Sequence, residues 1–214
     1  MATFTAAMVG IRQFDEDKVL ADALDLFWRK GLRATSMLDL AAATGVQRGS
    51  LYNAFGDKED LFLLAFDRYA ARFLETARKS LDASAADVAL TRFLDAAIAS
   101  MTVGLPPRGC LTTKTATDSD LIGDAVRDKV RDLLDTLETE IEIALSRHAG
   151  QLVLPPGETA RLVVTFTRGL AVMERIYHDP RRLGQTAAAL VQTLVGSPTT
   201  ARRHDRRRRA IKTE

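Results

Sequence analysis

One cysteine, Cys110, occurs in 214 residues, so no disulfide forms within the chain; the expected setting is a reducing compartment, the cytoplasm, with a fold that rests on packing alone. Long apolar runs are missing too. The longest strongly apolar stretch, LFLLAF at 61–66, falls far short of the roughly 20 residues a membrane helix needs. The opening MATFTAAMVGIRQF lacks a basic start followed by a sustained apolar core, so neither secretion nor membrane spanning is expected. Convincing period-two alternation is absent, which argues against a sheet-rich fold. Phosphate-cradling patterns of the GxGxxG or P-loop type are absent as well, and nothing resembles a catalytic triad. His148, His178 and His204 lie apart with no metal-ligand spacing. Glu174 and His178 share a helical face at i and i+4 and read as a hydrogen-bonded or exposed pair. The expectation is a protein that is not an enzyme and holds no cofactor and no metal.

Positive charge is scarce where it first matters. The net charge is +2, yet residues 197–214 carry seven basic and two acidic groups, which leaves the rest at −3. Residues 1–60 hold seven basic and nine acidic groups, so no bulk field marks them as nucleic-acid binding. Any such function must come from geometry.

What the chain does have is apolar residues at helical spacing almost throughout, with 46% hydrophobic residues to bury. The pattern predicts an all-α fold of about nine helices. The first spans roughly 15–30, with Gly31 as its stop, and Ser36 followed by Asp39 starts a second that ends at Gly45. A third covers 47–52, and Asp57 caps a long fourth helix reaching Leu81. Further helices are expected over 84–103, 108–117, 120–149, 157–178 and 180–195, the fifth broken by Pro106 and Pro107. Residues 197–214 read as a disordered basic tail that either adds salt-dependent attraction to DNA or only solubilises the end.

Two short helices joined by a glycine turn form a helix-turn-helix, whose second helix enters the DNA major groove. Val46 and Leu51 are expected to tie that second helix to the core. Gln47, Arg48, Ser50 and Asn53 are then left outside, and Gly49, without a side chain, lets the backbone approach DNA closely. The stretch TSMLDLAAATGVQRGSLYNAFGDKEDL resembles the DNA-binding segment of the tetracycline-repressor (TetR) family, with matching spacing over Phe27, Gly31, Thr35, Ala41, Gly45, Val46, Gly49, Leu51, Tyr52, Phe55, Lys58 and Leu61. Gln47 stands where the family usually has a small hydroxyl residue, and Ala54 where it commonly has histidine.

The resemblance implies an N-terminal three-helix DNA-binding domain (1–56), a helical-bundle ligand-binding and dimerisation domain (57–196) and the tail (197–214). It implies a homodimer joined through the two C-terminal helices, 157–178 and 180–195. Each subunit places its third helix on a palindromic double-stranded operator. By position, Thr35, Tyr52 and Lys58 hold phosphates, beside the cap residue Ser36, while Gln47, Arg48, Gly49, Ser50 and Asn53 face the groove. Arg48 either reads a guanine or neutralises a phosphate, and Tyr52 is possible as an edge-of-core residue. The bundle is expected to enclose a cavity for a small-molecule inducer of unstated identity, with Phe93, Met101, Cys110, Phe166, Met173 and Tyr177 as candidate walls or plain core. Cys110, expected in the first turn of the sixth helix beside Arg108 and Lys114, is either a reactive sensor of electrophiles or oxidants or an inert small hydrophobe. The rival reading is a helical-bundle binding protein or enzyme that binds no operator.

Overall fold

A computed structural model describes residues 14–117 and 123–196 of the chain; the basic tail at 197–214 and the expected start of the seventh helix at 120 lie outside them. Three of the first four helices begin where a short polar side chain takes up the unpaired amides of a first turn. α1 (Glu16–Lys30) starts at Asp15, whose carboxylate accepts from the amides of Asp17 and Lys18, and stops at Gly31. α2 (Met37–Thr44) opens with a reciprocal box: the Ser36 hydroxyl accepts from the Asp39 amide at 3.1 Å, and the Asp39 carboxylate accepts from the Ser36 amide at 2.8 Å. The same device, Asp57 with Asp60, starts α4 (Lys58–Leu81).

Between them lies α3 (Arg48–Phe55), longer than the expected 47–52 because Phe55 turns inward and its ring meets Phe14 at 5.9 Å, carrying the helix to Gly56. α5 (Ala86–Thr102) and α6 (Leu111–Thr117) follow. α6 begins three residues later than expected. The amides of Arg108 and Gly109 are already used, donating back to Val103 and Met101 at the end of α5, so Cys110 precedes the helix and its carbonyl accepts from Lys114. α7 (Asp124–Ser146), α8 (Pro156–Tyr177) and α9 (Pro180–Leu194) complete the chain. α7 stops short of 149 because Ala149–Gln151 tighten into a 3₁₀ turn. The segment after that turn pairs with the end of α9: the amide of Val153 donates to Leu194 and that of Gly196 to Gln151. No strand forms among the described residues.

The apolar faces gather into two cores. One holds Val19, Phe27, Trp28, Leu40, Leu51, Phe55, Phe62, Phe66 and Tyr69, and continues into Leu111 of α6 and Val126, Val130 and Leu133 of α7. The other joins the end of α4 to α5, the second half of α7, α8 and α9. Their boundary crosses the middles of α4 and α7. These two helices therefore run through both cores. None of the helices in the described residues is long and apolar enough to cross a membrane.

Candidate nucleic-acid interface and effector cavity

Gly45 adopts the left-handed conformation (φ 69°, ψ 12°) that lets α2 stop and α3 start at an angle, a region costly for residues with a Cβ. Leu51 is fully buried, Phe55 is buried and Val46 is half-buried, so one side of α3 is fixed to α1 and α2. Gln47, Arg48, Gly49, Tyr52 and Asn53 are exposed, and Ser50 is half-buried beside them. Gln47 occupies the cap position without capping: its side chain makes no hydrogen bond to the helix start. A Cβ added to Gly49 meets no atom of the described residues within 4 Å, so no contact among them requires glycine there. The Arg48 guanidinium lies 5.4 Å from the Tyr52 ring centroid, and Lys58 stands in the first turn of α4, half-buried.

Two expected phosphate-side residues are committed elsewhere. Thr35 is 2% exposed and its hydroxyl donates to the Gly31 carbonyl at 2.6 Å, locking the α1–α2 turn rather than facing solvent. Ser36 is exposed, but its hydroxyl serves the α2 cap and also donates to Asp39 at 2.6 Å. Hydrogen bonds from Lys30 and Ser36 hold the Asp39 carboxyl well below the usual carboxylate range. The acids of α1 are neutralised by near neighbours: Asp22 by Lys18 at 2.6 Å, Asp25 by Arg29 at 2.8 Å, and Asp17 by Arg68 of α4. The acidic surplus of this segment therefore does not concentrate on α3.

Behind α3 the end of α1 is bolted to the α5–α6 loop. The Trp28 indole donates to the Gly109 carbonyl at 2.8 Å, Arg108 lies over the indole at 3.8 Å, and Lys114 donates to the carbonyls of Trp28 and Arg29 at 3.0 and 2.6 Å. Lys114 thus satisfies carbonyls that a helix C-terminus leaves unpaired. Trp28 meets Tyr69 edge-on at 5.0 Å, and burial pushes the Tyr69 hydroxyl well above the ordinary phenol range, so it stays protonated and shares a 3.1 Å hydrogen bond with Thr112. A cavity of about 230 Å³ opens beside these rings, walled by α1, α4, α5 and Arg108.

Of the residues expected to line such a cavity, Phe93 does. The others do not line it. Met101 is buried in the second core and Phe166 lies half-buried against it. Met173 and Tyr177 are 45% and 48% exposed, because α8 turns Val163, Leu170, Ala171 and Glu174 inward instead. Cys110 is half-buried and lines a separate hollow of about 280 Å³ between α6 and α8. Burial acts to raise its thiol and is the largest single influence, but Arg168, with Nη1 3.6 Å from the sulfur, and hydrogen bonds from Thr113 and Thr112 together outweigh it, and the net shift is downward. The positive charge beside the thiol is thus Arg168, while Arg108 and Lys114 are spent on α1. Glu174 is buried, with one carboxylate oxygen 3.4 Å from His178 Nδ1. Sequence reasoning missed Trp28 and Arg168, and expected Arg108 beside Cys110, whereas its guanidinium lies over Trp28. Phe27 and Trp28 offered one signal, since adjacent helical residues cannot share a face and the second ring needs its own partner.

Comparison with known proteins matches two family models. Residues 19–65 match the bacterial regulatory proteins of the tetR family, and residues 88–190 match the tetracyclin repressor-like C-terminal domain. The HTH-type transcriptional repressor ComR of Escherichia coli (strain K12) is 36% identical over 106 residues, covering 49% of this chain and 50% of ComR. The uncharacterized HTH-type transcriptional regulator YezE of Bacillus subtilis (strain 168) is 41% identical over 58 residues, covering 27% of this chain and 30% of YezE. The chain thus spans half or less of the length of these curated relatives. Among solved structures, a cysteine mutant of the TetR family transcriptional regulator CifR, complexed with 26-base-pair operator DNA, is similar at TM-score 0.76 and 28% identity, covering 86% of this chain and 98% of that one. The reduced form of Escherichia coli NemR shares the fold at TM-score 0.76 and 18% identity, covering 85% and 97%.

Proposed function

Since the chain belongs to the TetR family of bacterial regulatory proteins, we propose that it is a transcriptional repressor, a homodimer that seats α3 of each subunit in successive major grooves of a palindromic operator and lets go when an inducer binds. The observation that carries this reading is α3 itself. It presents Gln47, Arg48, Tyr52 and Asn53 outward around a glycine whose missing side chain no internal contact explains. Residues 1–56 then form the reading head and 57–196 the sensing and pairing part. Gln47, Arg48, Ser50 and Asn53 meet bases and phosphates, while Tyr52 and Lys58 contact phosphates. Pairing through α8 and α9 is supported by the apolar residues α8 leaves exposed, Leu162, Val172, Met173, Ile176 and Tyr177, a surface that association would cover.

The deciding experiment selects bound sequences from random DNA and measures affinity by mobility shift. Arg48→Ala is expected to weaken binding by about 1–3 kcal/mol with dimer and fold intact, and Tyr52→Phe by less. Unchanged affinity in both variants favours a helical-bundle protein that binds no operator.

Release works through the small-molecule cavity or through Cys110, whose thiol Arg168 favours in its reactive form. An electrophile such as N-ethylmaleimide is expected to lower operator affinity in the wild type and leave Cys110→Ser unaffected. The pH midpoint of alkylation should lie below that of an ordinary thiol and move up in Arg168→Gln. A serine variant that responds equally dismisses the thiol route.

A further inference from the structure

The cavity between α1, α4 and α5 has a lining of one chemical kind. Four rings, Trp28, Tyr69, Phe73 and Phe93, and three alanines give it flat apolar walls; among the described residues its only charged groups are Arg72 and Arg108, and no carboxylate lines it. Arg108 is the unusual member. Its guanidinium lies over Trp28 at 3.8 Å, and its Nε is buried without a hydrogen-bond acceptor. Buried donors are normally paired, and the fork of a guanidinium matches a carboxylate through two parallel hydrogen bonds. At about 30 Å³ of liquid volume per water, a space of about 230 Å³ is that of roughly seven or eight waters, enough to hold a one-ring acid.

We propose that this cavity binds a one-ring aromatic carboxylate, with its ring among Trp28, Tyr69, Phe73 and Phe93 and its carboxylate on Arg108, and that occupancy acts on the reading head through Trp28. The last step rests on the repressor reading above; the binding step does not. Trp28 belongs to α1, and its indole is held by the residue next to Arg108, through the 2.8 Å bond to the Gly109 carbonyl. A carboxylate that takes Arg108 therefore competes with the indole face for the same guanidinium, and the disturbance arises inside the head rather than at a distance from it.

Trp28 is the chain's single tryptophan, so its fluorescence reports the site directly. Full-length protein titrated with benzoate should show saturable quenching, with affinity at least tenfold above that for benzamide or benzylamine. By titration calorimetry, Arg108→Gln should bind benzoate at least tenfold more weakly, and Arg108→Lys, which keeps charge but loses the fork, should fall between. Ala96→Leu fills the cavity with Arg108 intact and should also abolish binding, which decides the matter should Arg108→Gln fail its thermal melt. Equal affinity for benzoate and benzamide, no quenching by benzoate, or unchanged binding in a folded Arg108→Gln overturns the proposal. Benzoate should lower operator affinity at least fivefold in the wild type and not in Ala96→Leu. A protein that binds operator but no benzoate defeats this inference and leaves the repressor reading standing, whereas one that binds benzoate but no operator does the reverse.

Discussion

The two cores are built from different materials. Of nine phenylalanines, one tryptophan and three tyrosines, ten fall at or before Phe73, and in the N-terminal core they form a continuous series of ring contacts: Phe27 on Phe62, Phe62 on Phe66, Phe66 on Tyr69, and Tyr69 on both Trp28 and Phe73. The second core is aliphatic and rich in alanine, with Ala77, Ala86, Ala89, Ala97, Ala144, Ala160, Ala171 and Ala187 around leucines and valines, and Phe93 as its fully buried ring. Large rigid rings interlock by shape, whereas alanines let helix backbones approach but fill little space between unlike neighbours. The cavity opens where the two materials meet, with Trp28 of α1, Tyr69, Phe73 and Ala77 along one face of α4, and Ala96 and Ala97 of α5 in its lining. The cavity thus arises from a mismatch of side-chain sizes at the seam between the two cores.

That contrast can be broken from either side. The largest effect is expected from Phe62→Ala, which removes a fully buried ring touching two others. It should cost about 3–5 kcal/mol in denaturant unfolding, and a loss below 1 kcal/mol shows that the ring series is not what holds the head. Next come two enlargements on α5. Ala89→Leu, at a fully buried position away from the cavity, should lose about 1–3 kcal/mol through overpacking, while Ala96→Leu, facing the cavity, should change stability by less than about 0.5 kcal/mol. Equal losses mean that the seam is as tightly filled as the cores. Between these two enlargements lies Ser36→Ala, which removes one half of the α2 capping box and should cost about 1 kcal/mol with the two cores intact.

The smallest effect is a pH dependence at the same box. The folded state holds Asp39 below its ordinary range, so its contribution is complete above the unfolded value of about 3.9 and is lost as pH falls further through the depressed folded value. The gap in melting temperature between the wild type and Asp39→Asn should stay constant from neutral pH to about pH 4 and narrow below it. A gap that is flat down to pH 2 removes the Lys30 and Ser36 contacts as its cause.

The helical class, the two-helix reading unit and its outward polar face were legible because they depend on neighbours in the chain. Gly45, the Ser36–Asp39 box and the apolar spacing of α1 and α4 each act within a turn or two. The expected cavity residues of α8 that lie elsewhere, Phe166, Met173 and Tyr177, share one cause. α8 carries apolar residues on two sides, Val163 and Leu170 inward and Leu162, Met173, Ile176 and Tyr177 outward, and periodicity identifies a shared side without saying which side is covered. Thr35 was misread in a similar way, as its hydroxyl is spent on a carbonyl four residues back that the turn alone brings near.

By itself, then, the order of residues determined where helices start and stop, which of their sides are apolar, and that a glycine turn sets a polar helix off from the rest. The fold alone decided that Arg168 lies beside Cys110, that Trp28 reaches Gly109, and that ring-rich and alanine-rich helices meet around a space. Helix formation and capping are interactions across a few residues, whose geometry the backbone fixes in advance. Contacts 58 or 81 positions apart depend on how whole helices cross, and that is set by the sum of their packing rather than by any local pattern.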